Sequence, residues 1–174
     1  KIINTKENFN IGLTQSLFKI HPAYDNVLET ILKEIKDARL ILIKDKYDFR
    51  TKLLKDRWRR MNTLLLEKSI FLNRMSTDDF INTTKNCHIM LDPFYFGSGN
   101  TFYESMAFGI PFITYPNKQK SKVVSAGYKQ MKLKKPPIAN SAQEYINWCK
   151  SYSNNRSFLE ETKHELIDKA NKYL

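Results

Sequence analysis

Two kinds of apolar pattern alternate along the chain. The extended segment from Phe9 to Thr14 and the runs "ARLILIKD", "SIFLNR", "HIMLDPF" and "PFITY" are short and nearly continuous, as strands buried on both faces require. Between them lie stretches with helical spacing. In "AYDNVLETILKEIKD", Val27, Leu28, Ile31, Leu32 and Ile35 form one stripe behind Pro22, a residue suited to a first helical turn. "YDFRTKLLKDRWRRMNTLLLEK" also reads mostly as helix. Ser76 is placed to cap a helix running to about Lys85, with Asp78 and Asp79 at its positive end. "TFYESMAF" reads as a helix ended by Gly109, with Pro111 preventing its continuation. Ser121 to Met131 reads as another. "SAQE" at Ser141–Glu144 is a capping box opening a helix with Tyr145, Ile146, Cys149 and Tyr152 on one side. A last amphipathic helix is expected from about Phe158 to Tyr173.

This alternation predicts an α/β fold: a Rossmann-like parallel sheet with helices on both faces and two closing helices at the carboxyl end. At 174 residues the chain suits a single domain, 1–174, with a genuine core. Ligands of such sheets bind outside the carboxyl ends of the strands.

One of those ends carries an unusual loop. Three of the five glycines, Gly97, Gly99 and Gly109, fall within thirteen residues, although ordinary usage of about 7% would spread roughly a dozen along the chain. A strand, then glycines, then a helix start aims free backbone N–H groups and a positive dipole end at one point, which suits phosphate oxygens. Gly97, Ser98 and Gly99 form the candidate cradle, Asn100 and Thr101 add side-chain donors, and Glu104 one turn on is placed to accept from ribose hydroxyls. The spacing matches neither G-x-G-x-x-G nor the Walker motif.

The charge of +11 crowds into Lys118–Lys135 and Arg50–Arg60, which reads as solvated surface or as attraction for an anionic partner. No recognised nucleic-acid motif accompanies it. Cys87 and Cys149, each in a segment read as helical, and His21, His88 and His164 are too scattered for a zinc site or a disulfide framework. Buried thiols in a reducing cytoplasm are expected. No apolar run approaches the roughly 18 residues of a membrane span, no signal peptide is recognisable, and the first residue is Lys1, so a longer parent protein is expected. His21 before Pro22 and His88 at a strand start read as structural.

"YESMAFGIPFIT" resembles the donor-binding segment of retaining GT-B glycosyltransferases, close to E-A-M-A-x-G-x-P-V-V. The longer "NCHIMLDPFYFGSGNTFYESMAFGIPFITYP" is similar to A-D-x-x-L-D-x-x-x-x-N-G-x-T-T-x-x-D-x-L-x-x-G-x-P-V-V-T of the O-linked N-acetylglucosamine transferase and SPINDLY family. "GLTQSLFKIHP" resembles that family's F-x-x-x-N/Q-x-x-x-K-x-x-P, "QKSKVVSAG" its S-R-V-x-x-S, and "SAQEY" its S-x-E-E-Y, all in family order.

The resemblance implies the carboxyl-terminal, donor-binding half of a GT-B enzyme acting on a UDP-sugar. It places Lys19, the catalytic candidate, and Gln15 at the diphosphate, with Gly99, Asn100 and Thr101 holding it from the helix start. Glu104 stands for the ribose-binding acid, Phe80 for a nucleotide-stacking histidine, and Lys122 for the S-R-V arginine, as a single-point substitute. Phe96 occupies the position of the retaining branch's first glutamate, which favours inversion. No D-x-D metal pair is present, so Lys19 and the loop amides are expected to meet the leaving-group charge without a metal or other cofactor. Partners expected are the amino-terminal GT-B half and a protein or glycan acceptor. The fragment alone is expected to be inactive. Alternatives left open are a retaining transferase using another nucleotide sugar, and a non-catalytic nucleotide-sugar or nucleic-acid binding module.

Overall fold

The computed structural model describes residues 7–61 and 63–174. The helix read across "YDFRTKLLKDRWRRMNTLLLEK" includes position 62, outside those residues. In chain order the elements are β1 (Phe9–Gly12), α1 (Pro22–Glu34), β2 (Ala38–Ile43), α2 (Asp48–Met61), α3 (Thr63–Glu67), β3 (Ser69–Leu72) and α4 (Thr77–Lys85). There follow β4 (Ile89–Leu91), α5 (Asn100–Met106), β5 (Phe112–Ile113), α6 (Val123–Met131), α7 (Ala142–Asn154) and α8 (Arg156–Tyr173). Short 3-10 turns at Leu17–Lys19 and Gln119–Ser121 lead toward α1 and α6.

All five strands pair in parallel, in the order β3-β2-β1-β4-β5. The chain builds outward from β1 to β2 and β3, then returns to add β4 and β5 on the other side of β1. The direction of winding reverses between β1 and β4, and in sheets of this kind the crevice that takes a ligand lies outside the carboxyl ends of the strands at that reversal. This is the expected Rossmann-like architecture.

The period of two along each strand divides the apolar residues between two cores. Leu40 and Leu42 of β2, with Ile89 and Leu91 of β4, face α1, α3 and α7 in one cluster with Phe9, Leu28, Leu65 and Tyr145. Their neighbours Ile41 and Met90 face the opposite cluster with Phe112, Phe102, Tyr128 and Leu166, built by α5, α6 and α8. Helices therefore cover both faces, and the buried runs need no polar alternation.

The predicted punctuation is largely in place. Pro22 opens α1 and the Nδ1 of His21 accepts from the Ala23 N–H at 3.1 Å, so His21 is a cap. The Ser76 hydroxyl accepts from the Asp79 N–H and the Ser141 hydroxyl from the Glu144 N–H. The Glu144 carboxylate reaches back to the Asn140 N–H at 2.8 Å, one residue earlier than a standard capping box. Gly109 has φ of +68°, and a Cβ there would stand 2.6 Å from the Lys163 carbonyl oxygen, so conformation and space both demand glycine. Cys87 lies just past Asn86, the cap of α4, rather than within a helix, because its N–H already bonds back to the Thr84 carbonyl in a terminal turn. Both thiols are free and buried, and burial pushes that of Cys87 up to about 12.

Candidate functional site

Two connections meet at the crevice. The one after β1 runs through Thr14 and Gln15 into the Leu17–Lys19 turn, and the one after β4 runs from Asp92 to Gly99 and into α5. They join at Lys19, whose Nζ donates to Gln15 Oε1 at 2.9 Å and to the Gly97 carbonyl at 3.1 Å. The same ammonium lies 4.5 Å from the centroid of the Phe96 ring, which is 43% exposed. Lys120 approaches that ring at 5.6 Å. Burial holds the Lys19 ammonium below the usual lysine range, and the negative charge of Asp92 acts in the opposite direction.

The loop is clasped from beneath. The carboxylate of Asp92, 1% exposed, accepts from the Ser98 N–H at 2.6 Å and from the Thr114 hydroxyl at 2.7 Å. The Gly97 N–H donates to the Lys120 carbonyl at 3.0 Å. A Cβ on Gly97 would stand 3.0 and 3.1 Å from the Asp92 oxygens and 3.1 Å from Ser121 Cα, so its bareness lets the loop close on the protein itself. Desolvation raises the Asp92 carboxyl to about 6; its hydrogen bonds and the Lys19 charge pull the other way.

Gly99 differs. A Cβ there would meet nothing within 4 Å. It precedes α5 without a side-chain cap, and no acceptor among the described residues receives the N–H of Gly99, Asn100 or Thr101. Gly99 and Asn100 are exposed and Thr101 half-buried, so these first-turn N–H groups face solvent and can take an outside acceptor. Ser98 is fully buried, and its amide is already used by Asp92.

A cavity of about 320 Å³ is bordered by Thr14, Ile43, Arg74, Ser76, Phe80 and Glu104. Phe80 of α4 and Glu104 of α5, far apart in sequence, thus face one space. The Thr14 hydroxyl, which borders it, is buried with no partner among the described residues. Lys122 is exposed at the start of α6, and no contact of its side chain with Lys19 or the loop is found among the described residues.

The structure therefore gathers Gln15, Lys19 and the Gly97–Thr101 loop, and separately pairs Phe80 with Glu104. Sequence reasoning missed Asp92, Thr14, Thr114 and Lys120. One signal was present: "HIMLDPF" ends an apolar strand in a carboxylate, which buried surroundings tolerate only when it is hydrogen-bonded. His88 serves elsewhere, its Nδ1 accepting from the Asn10 N–H at 2.9 Å. Among the described residues no cluster of His, Cys, Asp and Glu could hold a metal ion, and no helix is long and apolar enough to cross a membrane.

No protein-family model matches the chain, and no curated protein matches it in sequence. Solved structures match it in shape. The architecture is that of the carboxyl-terminal half of the GT-B fold. An O-GlcNAc transferase mutant from Thermobaculum terrenum superposes with a TM-score of 0.84 at 19% identity, covering 94% of this chain and 32% of that one. HepE of Anabaena in complex with UDP gives 0.71 at 14% identity, covering 97% and 45%. The C-terminal domain of the group 1 glycosyl transferase LpcC from Francisella tularensis gives 0.71 at 13% identity, covering 94% and 85%. The chain thus spans about a third of the transferase and most of the isolated LpcC domain.

Proposed function

We propose that this chain is the donor-binding half of a glycosyltransferase and takes a UDP-sugar at the crevice between β1 and β4. The observation that carries the reading is the Lys19 ammonium held by Gln15 and Gly97 beside a loop whose next amides lack acceptors. Transfer breaks the bond from the anomeric carbon to the diphosphate, and negative charge grows on the departing UDP. Lys19 and the N–H groups of Gly99 to Thr101 supply preoriented positive ends to that charge, so transfer proceeds without a metal. The cavity faced by Phe80 and Glu104 takes the nucleoside, Phe80 offering a face to uracil and Glu104 accepting from the ribose. HepE, whose solved structures hold UDP and UDP-glucose, shares this fold.

Phe96 stands where a retaining enzyme of this fold carries a glutamate toward the sugar, and the reaction is accordingly assigned as inverting. In this reading a second half supplies the acceptor and the base, and this chain binds donor without turning it over. The test is calorimetric titration with UDP, GDP, ADP and UDP-N-acetylglucosamine. Selective binding of the two uridine ligands is expected; equal affinity for all nucleotides, or none, overturns the reading.

A further inference from the structure

The peptide joining Gly97 to Ser98 is engaged at both of its polar ends. Its N–H, on Ser98, donates to the buried Asp92 carboxylate at 2.6 Å. Its C=O, on Gly97, accepts from the Lys19 ammonium at 3.1 Å. No cis peptide occurs among the described residues, so the two groups point to opposite sides of one rigid plane. An anion therefore sits at the positive end of this peptide dipole and a cation at its negative end. The charges polarise the bond between them in the same sense. Asp92 and Lys19 do not touch: the hydrogen bonds of the ammonium go to neutral oxygens, and the carboxylate acts on it through space and through the plane.

The clasp beneath is specific. Thr114 at the end of β5 fixes the second carboxylate oxygen at 2.7 Å, and the missing Cβ of Gly97 lets both oxygens come within about 3 Å of the site it vacates. Rotating the plane would break the Ser98 and Lys19 bonds together. Resting on the donor-site reading above, we propose that Asp92 is a positioning residue, which through the Gly97–Ser98 peptide holds the Lys19 ammonium where a diphosphate arrives.

Other titratable groups facing Asp92 are the phenols of Tyr24 on α1, Tyr128 on α6 and Tyr145 on α7. Burial raises all three above the ordinary tyrosine range, so they stay neutral under acid conditions, and the charges here are Asp92, Lys19 and the Lys120 ammonium on the Phe96 ring, of which Asp92 is the one that changes near pH 6. Protonation of Asp92, which burial places near pH 6, removes the anion from one end of the plane.

The experiment compares wild type, Asp92→Asn and Thr114→Val as the intact chain. The titration of Lys19 is followed through its 13Cε resonance, assigned by its absence in Lys19→Ala. Binding of UDP-N-acetylglucosamine, whose diphosphate has no ionisation near pH 6, is measured from pH 5 to 8. Asparagine retains an acceptor for Ser98 and loses the charge. The expected result is a lowered Lys19 pKa in Asp92→Asn and sugar-nucleotide affinity weaker by about tenfold, the scale of one charge-assisted contact. Wild-type affinity falls as pH drops through about 6, whereas that of Asp92→Asn is flat. Thr114→Val withdraws one bond to the carboxylate and moves the wild-type midpoint upward, which provides the readout if Asp92→Asn does not fold. An unmoved Lys19 titration, or tighter binding in Asp92→Asn through relief of repulsion, overturns the proposal. Absence of nucleotide binding by wild type overturns the donor reading alone, because the Lys19 titration still reports on the positioning.

Discussion

The β1–β4 seam carries polar side chains at both ends, and the two ends are finished differently. At the amino end the groups close on one another. The Asn10 N–H donates to His88 Nδ1 at 2.9 Å, the His88 N–H returns to the Asn10 carbonyl at 2.8 Å, and Asn10 Nδ2 reaches the Asn86 carbonyl. The imidazole stacks on Phe9 at 5.0 Å. Burial, aided by the charges of Arg156 and Lys163, pulls His88 down to about 4, so at neutral pH Nδ1 is an acceptor. At the carboxyl end an ammonium rests on two neutral oxygens and three amides end without acceptors among the described residues. In the first arrangement the backbone of Asn10 and His88 and the imidazole bond one another; the second has spare capacity for an anion. The perturbed histidine here sits in bonds within the protein, whereas the candidate site is marked by a lysine with unsaturated neighbours.

The comparison breaks most directly at Lys19. Lys19→Ala is expected to weaken UDP binding by roughly tenfold to a hundredfold, the loss of a charged hydrogen-bond donor, with unfolding free energy changed by no more than about 0.5 kcal/mol. Calorimetry and urea unfolding on the same preparations check it. Loss of folding with intact nucleotide affinity would show that the two ends are alike.

Next in size is Gly97→Ala. The added methyl meets two carboxylate oxygens and the Ser121 backbone, neither of which is the loose end of a flexible chain. A loss of about 1–3 kcal/mol in stability is expected from such overpacking, measured by urea unfolding. Wild-type stability in this variant would mean that the loop is not clasped.

The smallest effect concerns pH. His88 has a lowered folded value, so the stability it contributes is present above its ordinary value of 6.5 and is lost as pH falls toward about 4. Asp92 has a raised folded value, so its contribution is fully present below its ordinary 3.8 and is lost as pH rises through about 6. The two ends therefore tilt the stability curve in opposite directions between pH 4 and 6. His88→Asn is expected to tilt it toward greater relative stability in acid and Asp92→Asn toward less. Each change is of order 1 kcal/mol after allowance for the partial solvent access of His88. Unfolding midpoints measured across that range against wild type give the sign; parallel curves would remove the distinction.

The fold was legible because its signals are local. Pro22 opens its helix through its fixed backbone angle, Ser76, Ser141 and Gly109 punctuate theirs through bonds to residues three positions away, and the parity of Leu40, Ile41 and Leu42 reports two buried faces directly. Residue patterns alone showed Lys19 and the glycine loop as separate pieces, and only the family resemblance brought both to one diphosphate, because 78 positions separate Lys19 from Gly97. Asp92 and Thr114, 22 positions apart, become partners only when β4 and β5 pair. Thr14 resembles any threonine after a strand until α4 and α5 close over it. Glycine itself was ambiguous, since the same residue type makes room for protein at position 97 and leaves open space at position 99.

A clasp made of peptide groups also bears on how such chains drift. Amide hydrogens and carbonyls are present whatever the side chain, so a loop that grips through them constrains few letters of its sequence. The letters it does constrain are the small or buried ones beneath it, such as Gly97 and Asp92, rather than those facing outward. Substitution can then run through most of the chain while the shape is kept.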